Sequence, residues 1–400
     1  MSVTTITSNP ADYYHVWDQL SDADRDVVNR VRAFTTDHAL PVVGEAWERA
    51  DFPYELIPEL RKVGIVGTAI KGYGAPGLTR LQAGLVAMEL SRCDGSLNTF
   101  NAVHSGLAMG SINILGSDEQ KERWLPKMAN LDLLGAFALT EPDHGSDTVA
   151  LETSARIEGD EVILNGAKKW IGLGHVADLV IVWARREDTG KVAAFVVEKD
   201  PETGNYPEGY EAEAITGKIA KRGIQQAEIT LTDVRVPLAN ALAEAVGFRS
   251  VSRVLNTTRA TVAWEALGHA QAAYDIAVQY TQERAQFGKP IASYQLVQRQ
   301  LALMLADLTA MQLMCFRSAQ LQDAGELSND QASLLKMFCS DKGRDICRQS
   351  RDLLGGNGLL LENQVARHLT DMEVVHTYEG TDFIQSLIVG REITGINAIS

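Results

Sequence analysis

Toward its C-terminus the chain carries three long stretches with unbroken helical apolar spacing: Val251 to Arg284, Tyr294 to Ala324, and Asp330 to Leu354. Such helices present an apolar face from end to end, and that face is stable only against other helices. Gly355-Gly356 stops the third. The pattern predicts a four-helix bundle over residues 241–400, with more apolar surface than one subunit covers. Upstream the period changes. Over 131–240 short β-rich runs take over: Glu161 to Leu164 after a Gly-Asp turn, Leu179 to Trp183, Ala193 to Val197, and Ile229 to Val236. Asn165-Gly166 adds a hairpin signal. These runs predict a small, mainly antiparallel β domain. Residues 1–130 return to helical spacing. Ser21 caps a helix bearing Val27, Val28, Val31 and Phe34, Thr79 caps one bearing Leu81, Leu85 and Met88, and Ser117 with Gln120 forms a capping box ahead of Trp124. The expectation is an α+β chain in three domains, since 400 residues exceed one simple core.

The formal net charge of −15 argues against nucleic acid as a partner, because neutralising phosphates needs a basic surface. An anionic ligand would need a local basic or helix-terminal site. Cys93, Cys315, Cys339 and Cys347 form no CxxC or CxxH pattern, so reduced buried thiols are expected, with neither disulfides nor a metal site. Met1 to Pro10 lacks a signal pattern, Asn397 to Ser400 is no peroxisomal address, and no apolar run reaches the length of a membrane span. A soluble cytoplasmic protein is the expectation.

Thr377-Tyr378-Glu379-Gly380-Thr381 offers a single carboxylate just ahead of a helix, beside a glycine that lets a ligand approach the backbone. An N-terminal capping turn with an exposed acid would read the same way. Two further segments fit chemistry at a carboxylate: Phe137 to Asp147, and Lys169-Trp170-Ile171-Gly172. With Arg284-Ala-Gln-Phe-Gly288, Leu354-Gly-Gly-Asn-Gly358 and Tyr378-Glu-Gly-Thr381, these resemble the acyl-CoA dehydrogenase family in order and spacing over about residues 20 to 398. The ending at 378–396 resembles the subgroup of glutaryl-CoA dehydrogenases and plant short-chain acyl-CoA oxidases.

The resemblance implies the same three domains, a homotetramer, and one FAD between the β domain and the bundle, its adenosine end reaching a neighbouring subunit. It implies removal of an α-proton from an acyl thioester by Glu379 and passage of a β-hydride to flavin. The Glu379 N–H would be one donor to the thioester oxygen, with Tyr378 and Gly380 flanking the substrate. Burial beside the acyl chain should raise its pKa. Phe137, Leu139 and Thr140 would meet the pyrimidine side of the flavin, Gly145 its pyrophosphate, and Ser146 the pantetheine of CoA. Trp170 and Ile171 would pack at the ring edge. Gly172 stands where most relatives place a hydroxyl, which suggests a less shielded flavin edge and easier access of oxygen. Arg284, Gln286 and Phe287 would reach a neighbour's FAD, with Gly355 and Gly356 close to the same cofactor and Thr381 at its adenosine end, although Phe383 departs from the family there. Arg259 matches an arginine near the CoA phosphates.

Asn98, followed by Thr99, stands where glutaryl-CoA dehydrogenases carry an arginine for the distal carboxylate. An unpaired carboxylate in an apolar pocket costs several kcal/mol, so a short or medium neutral acyl chain is favoured, with Arg92 a rival cation. The electron acceptor would be an electron-transfer flavoprotein, or oxygen in an oxidase. A non-catalytic binding protein on the same fold is the alternative from another class.

Overall fold

The computed structural model describes residues 11–398; the expectations about Met1 to Pro10 and about Ile399-Ser400 lie outside the described residues. The N-terminal part packs α1 (Asp22–Phe34), α2 (Leu40–Arg49), α3 (Ile57–Val63), α4 (Arg80–Cys93), α5 (Gly95–Asn101), α6 (Gly110–Leu115) and α7 (Asp118–Ala129), with a short hairpin of β1 (Lys71–Gly72) and β2 (Ala75–Pro76). Ser21, Thr79 and Ser117 each accept from the third residue of their helix, whose side chain returns the bond. Capping is a local interaction, so the sequence is enough to place it.

A seven-stranded sheet follows: β3 (Gly135–Ala138), β4 (Ser154–Glu158), β5 (Glu161–Gly172), β6 (Leu179–Arg186), β7 (Val192–Glu198), β8 (Tyr210–Ala214) and β9 (Gln226–Pro237). Most pairs are antiparallel, but β3 and β4 both run parallel to β6. Asn165-Gly166 is not a hairpin turn. The turn lies at Gly159, and β5 continues through Gly166 with a register shift against β9. A Cβ on Gly166 would stand 2.6 Å from Thr153 Oγ1, so only glycine lets the strands approach there. Asn165 and Asp233 bridge the bulge, with Asn165 Nδ2 donating to Asp233 Oδ1 (3.0 Å) and the Asp233 N–H to Asn165 Oδ1 (2.8 Å).

The C-terminal part holds α8 (Phe248–Glu283), the hairpin β10 (Ala285–Gln286) and β11 (Lys289–Pro290), then α9 (Gln295–Asp323), α10 (Asn329–Leu353), α11 (Val365–Thr377) and α12 (Asp382–Thr394). By length and composition α9 could cross a bilayer, which corrects the expectation of no such run. Its buried side chains, among them Met304, Leu308 and Met311, join the core of the bundle. All four cysteines are buried and unpaired by disulfides. Gly166→Ala should cost roughly 1–3 kcal/mol through overpacking against Thr153, read as a lower midpoint in urea denaturation.

Candidate active site

The turn between α11 and α12 carries Glu379 at φ 54° and Gly380 at φ 88°, two left-handed residues in succession. A glutamate pays for that conformation, and two side chains hold it. The Lys336 ammonium, buried on α10, donates to the carbonyls of His376 (2.9 Å) and Gly380 (2.8 Å). Gln385 Nε2 donates to the carbonyls of Glu379 (2.9 Å) and Gly380 (3.2 Å), and it lies where any Cβ on Gly380 would have to be. Thr381, expected at the cofactor's adenosine end, has its hydroxyl engaged as the N-cap of α12 by Ile384 N–H.

The Glu379 carboxylate meets Thr258 of α8, Oε2 to Oγ1 at 3.0 Å, and the same hydroxyl lies 3.1 Å from the Leu255 carbonyl. An ionised Glu379 accepts from Thr258. A protonated one donates to it, while Thr258 passes its own hydrogen to Leu255. Both states are satisfied, as a group that gains and loses a proton requires. Burial pushes the Glu379 pKa up, aided by Glu265, against the lowering pull of Thr258, Arg259 and Lys336. Burial also brings Lys336 down to about 8. No protein acceptor takes the Glu379 N–H among the described residues. Arg259, whose guanidinium donates to Asn329 and Ser333, adds positive potential beside the carboxylate.

The sheet carries the second group of expected site residues. Phe137 and Leu139 are buried at the end of β3 and Thr140 is half-buried. Lys168 Nζ donates to Leu139 O (3.1 Å), and Lys169 N–H to Thr140 O (2.9 Å). Lys168 also pairs with buried Glu141 (2.8 Å), which accepts from Glu152 N, Thr153 N and Thr153 Oγ1. Burial raises Glu141, but those donors outweigh it and hold the acid down at about 2. Gly145 and Ser146 lie on the exposed loop between. Trp170, at φ 65°, leaves 54% of its surface open, next to buried Ile171. Gly172 does not open a hole. A Cβ there would stand 3.0 Å from Val103 Cγ2, so Val103, on the wide-turn segment Ala102–Met109, takes the room a side chain would fill.

Asn98 and Thr99 are buried on α5. The Thr99 and Tyr378 hydroxyls are not free for a ligand, because both accept from Lys221 Nζ at 2.8 Å, and Tyr378 donates to Glu265. Arg92 is no rival cation, since it pairs with Glu89 (3.3 Å) and Asp275 (3.1 Å).

Other expected site residues stand far away. Arg284 ends α8, about 40 Å along the helix axis from Thr258. Gln286 belongs to the hairpin beyond it, and Phe287 at the tip is 96% exposed at φ 51°. Gly355 and Gly356 join this far end, where Asn357 Nδ2 donates to Tyr280 Oη (2.9 Å). Thus one chain brings Glu379, Thr258, Arg259 and Lys336 together, and holds Arg284 to Phe287 with Gly355 and Gly356 apart. Sequence reasoning missed Thr258, Lys336, Gln385, Glu265 and Lys221. Only the Asn256-Thr-Thr-Arg259 run hinted at a polar helix face.

The chain matches the acyl-CoA dehydrogenase N-terminal domain over residues 21–132, the middle domain over 136–234 and the C-terminal domain over 245–394. It belongs to the acyl-CoA dehydrogenase family. It is 34% identical over 371 residues to an acyl-CoA dehydrogenase of Bacillus subtilis, covering 91% of this chain and 96% of that one. The structure of a glutaryl-CoA dehydrogenase from Mycobacterium smegmatis in complex with FADH2 superposes with a TM-score of 0.94 at 36% identity, covering 98% of this chain and 100% of that one. Butyryl-CoA dehydrogenase from Megasphaera elsdenii gives 0.88 at 30% identity, covering 94% and 98%.

Lys168→Met should leave the buried Glu141 unpaired and destabilise the protein by about 3–5 kcal/mol, measured by chemical denaturation.

Proposed function

We propose that this chain is an FAD-dependent acyl-CoA dehydrogenase acting on a short or medium acyl-CoA, with Glu379 as the base that takes the α-proton. The carrying observation is the half-buried Glu379 carboxylate, hydrogen-bonded to Thr258, on a turn whose N–H has no protein acceptor among the described residues. That N–H is free to donate to a thioester oxygen, where negative charge develops as the proton leaves. The raised pKa suits a base that must hold the proton it removes. Thr258 follows the proton with its own hydroxyl.

The residues fit a flavin. Trp170 presents an open indole, and Gly145, Gly355 and Gly356 have no atom within 4 Å of where a Cβ would stand, leaving room for a cofactor against the backbone. Phe137, Leu139, Thr140, Trp170, Ile171 and Gly172 would hold the ring system, and FAD supplies the acceptor for the β-hydride. The relative crystallised with FADH2 supports the same cofactor. Arg284, Gln286, Phe287, Gly355 and Gly356 lie too far along α8 to touch that flavin in their own chain, so they serve a neighbouring copy in a homo-oligomer, a tetramer by the family resemblance. Ser146 and Arg259 hold CoA, and Thr381, through its backbone, borders the adenosine end. An electron-transfer flavoprotein is the favoured acceptor, because Val103 covers the gap at Gly172 that had motivated an oxidase. The buried Asn98 and the engaged Arg92 disfavour a carboxylate-tipped substrate. We place the enzyme in the cytoplasm.

Anaerobic addition of butyryl-CoA should bleach the flavin of the purified protein, and admission of air should restore the colour only over minutes; return within seconds would point to an oxidase. Glu379→Gln should retain FAD and acyl-CoA yet bleach at least about a hundredfold more slowly. Normal bleaching by that variant would remove the assigned base. Glu379 works ionised, so the rate should fall as pH drops through its raised pKa. Thr258→Val deletes a bond that favours the carboxylate, and the acid limb should move to higher pH. A limb that stays in place would separate Thr258 from the base.

A further inference from the structure

Thr258, Val262, Glu265 and His269 succeed one another at four- and three-residue spacing and line one face of α8. From Thr258, where the Glu379 carboxylate sits, this face runs inward to Glu265, two turns or about 10 Å deeper. There Lys221, from the segment between β8 and β9, meets Glu265 in an ion pair with side chains only 1% and 2% exposed. All three Nζ hydrogens are engaged, by Glu265, by Thr99 Oγ1 and by Tyr378 Oη. The Tyr378 hydroxyl donates to Glu265, and the Thr99 hydroxyl to the Gly95 carbonyl (2.9 Å). Tyr378 is the residue directly before the base. The cluster therefore adjoins the reacting centre, lies deeper than it, and has no donor left over. Its spare capacity is the lone pairs of Glu265, which are acceptors.

We propose that the Lys221–Glu265 pair with Tyr378 forms the floor of the acyl pocket and sets specificity: short acyl chains are accepted, and both long chains and carboxylate-tipped chains are refused. The proposal rests on the dehydrogenase reading, in which the acyl chain starts beside Glu379. A four-carbon chain ends before the pair. An eight-carbon chain spans roughly the two helical turns and must part an ion pair that is almost wholly buried. The distal carboxylate of a five-carbon chain stops short of the pair but faces the negative charge of Glu265, and the Lys221 ammonium behind it is already neutralised.

The test is anaerobic calorimetry on the FAD-loaded protein with butyryl-, hexanoyl-, octanoyl- and glutaryl-CoA. The wild type should bind octanoyl- and glutaryl-CoA at least about tenfold more weakly than butyryl-CoA, although added methylenes ordinarily tighten binding to an apolar pocket. Replacing the pair together (Lys221→Leu with Glu265→Leu) leaves no lone charge and should raise the relative affinity for octanoyl-CoA at least about tenfold. Glu265→Gln releases Lys221 as a free cation and should raise the relative affinity for glutaryl-CoA by a similar factor of about ten. Wild-type binding of octanoyl-CoA as tight as that of butyryl-CoA overturns the proposal without any variant. So do unchanged ratios in both variants. Flavin bleaching, recorded separately, tests the dehydrogenase reading: its absence with every acyl-CoA would sink that reading, while the affinity ratios would still decide whether the floor is where we place it.

Discussion

An ammonium taken out of water must be given acceptors on every side, and this protein uses that demand three times to hold its site together. Lys168, Lys221 and Lys336 are all fully buried. Lys168 ties the end of β3 to Glu141 and so fixes the loop from Leu139 to Thr153. Lys336 gathers the carbonyls of His376 and Gly380 around the strained turn. Lys221 draws a loop of the β domain, α5, α8 and Tyr378 to one point. Each lysine comes from a different element, and each ends on a segment that carries proposed site residues. These segments are held by electrostatics as much as by apolar packing.

The arrangement has an energetic logic. A left-handed glutamate and a carboxylate drawn partly out of water are both unfavourable, and neither would persist on a loose loop. Between α10 and α12, Lys336 and Gln385 over-determine the backbone, so Glu379 has one conformation in which to exchange a proton. The positive charges of Lys336 and Arg259 restrain how far burial raises its pKa, and Glu265 pushes the other way.

What the sequence made legible was local or long-period. The capping boxes at Ser21, Thr79 and Ser117 involve residues three apart, and the bundle helices repeat one apolar pattern over many turns. Asn165-Gly166 was misread because a hairpin turn and a β-bulge use the same residues, and only the nearness of Thr153 decides between them. Glu379 stood out through its motif, whereas its partners did not. Thr258 lies 121 residues away along the chain and Lys336 sits in a helix, where a lysine ordinarily reads as a solvated charge. Lys221 was hidden the same way, in a run with Lys218 and Arg222 that looks like surface.

The span of α8 carries a further consequence. A single long helix sets Glu379 apart from the Arg284 hairpin, and on the proposed reading each copy would lend its far tip to a dinucleotide seated on another. Retention of the yellow colour then becomes a gauge of assembly. Dilution that separates the copies would release cofactor even though every subunit stayed folded, and a defect at one tip would be felt in the active site of its neighbour.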